Sequence, residues 1–206
     1  MFASPLKIIL KQINMKKITT TLAVMLISIV SNAQVFMGMS VSGPVAAFNA
    51  QLKTKGFTLD VLQTEGDLYV FTGTISTKDV EIVVITTPTS KLVKKLVVFY
   101  PKQESWYSLK SQFNDVVEVI TKKYGKPDDN YAFFQTPYEE GDGYEMTAVG
   151  TENCFYLYAW KANANFPNQT IAVRIVKSKR VTLAYENDAM MAKAELEQEK
   201  IDENTY

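Results

Sequence analysis

Twice along this chain a stripe of apolar residues at helical spacing gives way to runs that alternate with period two. That succession restricts the fold to helices followed by strands that can pair antiparallel. In the first stripe Val45, Phe48 and Leu52 share one helical face. Ser42-Gly43-Pro44 supplies an expected N-cap and a proline near the first helical position, and Gly56 follows Lys53 and Lys55 as a stop. In the second, Ser108 is the expected N-cap. Leu109, Phe113, Val116, Ile120 and Tyr124 form one stripe that ends before Gly125 and Pro127. β-Branched and aromatic residues then dominate segments near 57–63, 68–76, 80–86 and 92–100 after the first helix. They do so again near 131–136, 144–150, 154–161, 170–177 and 181–185 after the second.

The pattern reads as an α+β chain built from a duplicated unit of helix plus antiparallel strands. The halves are 34–104 and 105–186 within a single domain, 34–186. Lys53-Thr54-Lys55-Gly56 corresponds to Lys122-Lys123-Tyr124-Gly125, and Glu65-Gly66-Asp67 to Glu140-Gly141-Asp142. The separations, 69 and 75 residues, differ by one short loop insertion. No linker divides the halves, so their strands are expected to form one sheet with the helices on one face.

Both flanks read differently from this body. Met15-Lys16-Lys17, the apolar run 18–30 and Ser31-Asn32-Ala33 before Gln34 have the three parts of a cleavable secretory signal. The expectation is a leader over 1–33 with its natural start at Met15. The apolar run is 13 residues long, short of the roughly 20 that a spanning helix needs. Gln34 stands where a lipoprotein would carry Cys, so a soluble periplasmic or extracellular product is expected, with no membrane insertion. At the other end 187–206 reads as a charged helix or tail, with Asn187 or Asp188 as cap and a thin stripe of Met190, Ala194 and Ile201.

Charge and residue types exclude several chemistries. Residues 1–33 hold four lysines and no acid, leaving 18 basic against 22 acidic groups and no basic patch for nucleic acid. The chain has no histidine and one cysteine, Cys154. Imidazole bases, Ser-His or Cys-His nucleophiles, histidine metal ligands and cysteine-rich metal sites are thereby removed. Cys154 lies in an apolar strand pattern and reads as core. No catalytic residue and no cofactor is assigned. The densest carboxylate cluster is Glu139-Glu140-Gly141-Asp142-Gly143-Tyr144-Glu145. It reads as a solvated hairpin loop, with Glu139, Glu140 and Asp142 as weak calcium candidates. A glycosidase-type acid pair, acting on envelope or dietary glycans, is the enzymatic alternative.

Aromatic residues supply the other candidates. Tyr156, Tyr158 and Trp160 alternate along one strand with Cys154, while Phe155 and Leu157 take its opposite side. A strand apolar on both sides is either central in a doubly covered sheet or leaves one stripe bare. A bare stripe would bind sugars by ring stacking or proteins as a hot spot. Trp106 and Tyr107, just before the second stripe, could extend such a surface. The expected function is therefore a non-enzymatic binding or interaction module, with an unknown protein or glycan partner and Tyr156, Tyr158, Trp160, Trp106 and Tyr107 as its binding residues.

Met37-Gly38-Met39, Gly43-Pro44, Leu52-Lys53-Thr54-Lys55-Gly56-Phe57 and the blocks 122–127 and 138–145 resemble an uncharacterised family of exported proteins from Bacteroides-like bacteria. That resemblance covers nearly all of the chain after residue 33 and implies export, but assigns no activity and no site residue. In architecture alone the duplicated unit is similar to the β-lactamase inhibitor protein family, which binds its target with the concave face of a sheet. The two internal disulfides of that family are impossible with a single cysteine.

Overall fold

A computed structural model describes residues 35–204. The signal-peptide reading of 1–33 lies outside the described residues. A short hairpin, β1 (Val35–Phe36) and β2 (Met39–Ser40), precedes helix α1 (Val45–Thr54) and strands β3 (Thr58–Glu65), β4 (Leu68–Ile75), β5 (Lys78–Thr86) and β6 (Val93–Phe99). Helix α2 (Trp106–Tyr124) opens the second half. It is followed by β7 (Asp129–Phe134), α3 (Glu145–Gly150), β8 (Cys154–Trp160), β9 (Gln169–Val176), β10 (Arg180–Asn187) and α4 (Asp188–Glu203).

The fold is α+β. Eight strands form one antiparallel sheet in the order β3-β4-β5-β6-β10-β9-β8-β7. Each half contributes four consecutive strands, and the last strand of each, β6 and β10, pair at the centre. Tight turns enforce the sequential pairing: Ser76 and Thr77 join β4 to β5 with φ of 46° and 72°, the primed-turn geometry that suits the twist of a hairpin.

Register separates the two faces. A row Phe71, Ile82, Val98, Leu183, Val173 and Tyr158 runs across one face. The adjacent row, Val70, Val83, Val97, Ala184, Ala172 and Ala159, belongs to the other. Phe48 and Leu52 of α1 and Leu109, Phe113, Val116 and Ile120 of α2 join the first row in one buried cluster. At roughly 1.5–3 kcal/mol per fully buried side chain, this layer is the main source of stability. Val149 and Met146 of α3 also pack into it. Gly73 sits under the Phe57 ring, 2.4 Å from where a Cβ would stand, which explains a glycine inside a strand. On the opposite face the central strands carry ion pairs: Lys95 with Glu186, and Arg180 with Glu81 at 3.6 Å while its guanidinium lies over Phe99.

Several local expectations are corrected. The segment 144–150 is not a strand. Glu145, Ala148 and Val149 are its buried residues, and their i, i+3, i+4 spacing suits a helix face rather than an alternating strand. Its removal leaves both halves with one long helix and four strands. The α2 cap is Ser105, whose hydroxyl accepts the Ser108 N–H at 3.2 Å, so the helix starts earlier and includes Trp106. Pro44, with no side-chain cap, occupies the N-cap of α1, while the Ser42 hydroxyl bonds that of Ser40 at 2.7 Å. Asn187 caps α4 by accepting the Met190 N–H at 3.1 Å. That helix is anchored by more than its thin stripe. Glu197 accepts the Thr89 and Ser90 N–H groups at 2.8 and 3.1 Å and the Ser90 hydroxyl at 2.5 Å. The Ser90 hydroxyl and these amides pull the Glu197 carboxyl down to about 2.

Candidate functional site

The aromatic residues of β8 divide between the two faces by strict alternation. Tyr156, Tyr158 and Trp160 lie on the helix-covered side, which corrects their reading as a presented stripe. Trp160 is 1% exposed and donates its Nε1–H to the Gly125 carbonyl at 2.8 Å, tying β8 to the end of α2. Tyr156 is 5% exposed and stands edge-on to Trp106 and Phe113 at 5.0 and 5.6 Å between ring centres. Tyr158 is half-buried, edge-on to Phe113 at 5.4 Å. The helix that covers them decides this outcome, because Phe113 must pack against the face that α2 lies on.

Trp106 and Glu140 complete this brace. The Trp106 Nε1–H and the Lys110 ammonium both reach Glu140 Oε1, the former at 3.3 Å, and the Tyr156 hydroxyl donates to Oε2 at 3.1 Å. The Lys110 ammonium holds the Glu140 carboxyl below the usual carboxylate range, with burial working the other way. Burial first, and then the Glu140 contact, raises the Tyr156 hydroxyl. Tyr107 points away and is 83% exposed, beside a shallow depression of about 420 Å3 that Lys110, Ser111, Asn114 and Glu140 also line. Of the five expected binding residues, Trp106, Tyr156 and Tyr158 meet in a structural cluster, Trp160 is buried separately, and Tyr107 is the exposed one.

The acidic loop is organised by its own backbone. Asp142 accepts the Glu139 and Tyr144 N–H groups at 2.9 and 2.7 Å, and the Glu145 side chain accepts that of Gly141 at 2.8 Å. Glu140 is turned toward Lys110 rather than toward Glu139 or Asp142 as a fellow ligand. Among the described residues no three His, Cys, Asp or Glu converge in a metal-holding arrangement. Cys154 is half-buried against the core, and burial pushes its thiol up to about 12, which makes it unreactive at neutral pH.

An aromatic patch does reach solvent, on the other face. Tyr131 and Phe133 of β7 are 49% and 50% exposed, and Phe155 of β8 is 41% exposed. Phe133 and Phe155 stand opposite each other in register and stack with ring centres 5.1 Å apart and planes 15° apart. Leu157, opposite Tyr131, fills the adjoining position. Polar groups border this patch rather than enter it: Arg174 lies next to Leu157, and Asp129 pairs with Lys161 at 2.9 Å. The alternation of Phe155 and Leu157 was visible in the sequence. What it lacked was any sign that α2 would cover the tyrosine side instead.

No protein-family model, no curated protein and no solved structure matches this chain. Among the described residues no helix is long and apolar enough to cross a membrane.

Proposed function

We propose that this protein is a non-enzymatic binding module that engages a protein partner through Tyr131, Phe133, Phe155 and Leu157. One observation carries the reading: three aromatic side chains stand about half exposed on a sheet face away from the core, two of them stacked on each other. An apolar centre with a charged border of Arg174, Asp129 and Lys161 has the composition of a protein–protein contact. Sugar sites instead intersperse hydrogen-bonding side chains among their rings. The secretory leader expected over 1–33 supports a partner outside the cytoplasm in this proposal, in the periplasm or beyond the cell.

The test is capture from an envelope extract by the native chain, by a Phe133→Asp/Phe155→Asp double variant and by Tyr107→Ala. The proposal expects a partner retained by the native chain and by Tyr107→Ala but lost with the double variant, whose circular dichroism stays native. Equal capture by all three would refute the patch. Binding to a glycan array that survives the double variant would refute both the site and the partner class.

A further inference from the structure

The two outer strands of the sheet are built differently. At one end β3 leaves its register with β4 between Asp60 and Glu65. Asp60 gathers the Leu62 and Gln63 N–H groups at 3.0 and 3.2 Å and the Gln63 side-chain amide at 2.8 Å, so the strand curls away from a straight edge. Irregularity of that kind blocks the addition of another strand. At the other end β7 runs in unbroken register with β8, from Asp129 opposite Ala159 to Phe134 opposite Cys154. It contains no Lys, Arg, Pro or Gly, and residues 130–133 are all exposed. Beyond Asp129 at its start, nothing in its sequence or shape guards that edge.

Hydrogen-bond parity shows which groups of β7 are free to pair. Gln135 donates its N–H to the Asn153 carbonyl at 2.8 Å, one step beyond the Phe134–Cys154 pair. Bonded pairs alternate in an antiparallel ladder, so Phe133–Phe155 and Tyr131–Leu157 are bonded pairs too. The N–H and C=O groups of Asn130, Ala132 and Phe134 therefore point away from β8. Among the described residues no strand lies beyond them.

We infer that β7 pairs with the β7 of a second copy of this chain, antiparallel about a twofold axis at Ala132. Asn130 then faces Phe134 of the partner subunit, and Ala132 faces the partner's Ala132, giving roughly six backbone hydrogen bonds. Tyr131 falls opposite the partner's Phe133 in a non-bonded pair, where side chains approach most closely. The twofold axis makes that ring pair twice, on the same face as the Phe133–Phe155 stack.

Charge places no obstacle in the way of a second copy in this register. The only charged residue of β7 is Asp129, already paired with Lys161 of its own chain. In this register it meets the partner's Gln135, so no like charges oppose. A two-residue slip one way sets Asp129 against the partner's Phe133, and a slip the other way leaves Tyr131 opposite the partner's Gln135. Either slip loses bonded pairs. The self-paired register is thus the one that uses the whole strand. It merges two aromatic patches into one surface across the axis, with one continuous sheet through both copies.

Sedimentation velocity of the full chain tests this. The native protein should sediment as a dimer at tens of micromolar, and Ala132→Lys and Ala132→Asp should each weaken the dimer by about tenfold or more, because like charges would face each other on the axis. Mixing the two variants should restore dimers, since lysine then opposes aspartate. Hydrogen exchange on the native chain provides a readout that needs no variant: the Asn130, Ala132 and Phe134 amides should gain protection as concentration rises. A native chain that stays monomeric, a dimer indifferent to both variants, or concentration-independent exchange at those three amides would overturn the inference. Phe155→Ala leaves the strand pairing intact, so loss of partner capture and loss of the dimer are separate results.

Discussion

β8 carries rings on both of its sides, and the two sets have opposite duties. On the helix side Tyr156 and Trp160 are almost wholly buried, and each has its polar atom satisfied, by Glu140 and by the Gly125 carbonyl. On the other side Phe155 has no polar atom, stacks on a neighbour from the adjacent strand and keeps 41% of its surface in water. The difference teaches that aromatic content alone does not mark a binding surface. A ring with a hydroxyl or an indole N–H can be drawn inside when a partner waits there. Rings without one that stay exposed are the more informative signal.

The comparison is sharpened most by removing one buried ring. Trp160→Ala should cost about 3–5 kcal/mol, from the lost volume and the orphaned Gly125 carbonyl, measured by chemical denaturation. A loss as small as that of a surface ring would break the contrast. Acid should probe the same side more gently. The Glu140 carboxyl titrates lower in the folded chain than its ordinary value of 4.5. Its contribution is therefore present above that value and is lost as pH falls through the lower, folded one. Trp106 fluorescence should change across that acidic window in the native chain and not in Glu140→Gln. The smallest effect belongs to the bare face. Phe155→Ala should change stability by less than about 1 kcal/mol, the scale of a single exposed ring pair. A larger loss would mean that the patch is structural.

The fold was legible wherever a period was unambiguous. The stripe from Leu109 to Ile120 announced α2, and the strands with turn residues between them announced the sheet. The segment 144–150 was misread because seven residues hold too few repeats to separate a period of two from one of 3.6. The neighbouring loop over 139–143 was legible from its glycines and carboxylates, whereas the bond from the Tyr144 N–H to Asp142 was not. The candidate site was legible only as a list of rings. Phe155 and Leu157 could be assigned to one side of β8 and Tyr156, Tyr158 and Trp160 to the other, but not to inside or outside.

Sequence alone determined the long helices, the eight strands of the sheet, their order and the chemistry that is missing, because periodicity and residue type are local properties of the chain. The absence of histidine and of a second cysteine needs no coordinates to be read. Tertiary structure alone decided which side of the sheet α2 covers, that β6 and β10 meet in the middle, and that β7 is left at an edge. Those outcomes depend on contacts between residues far apart in sequence, such as Phe113 on Tyr158 and Glu140 on Lys110. A strand apolar on both sides carries no local mark of which side will meet water. That choice is made by the helix packed against it.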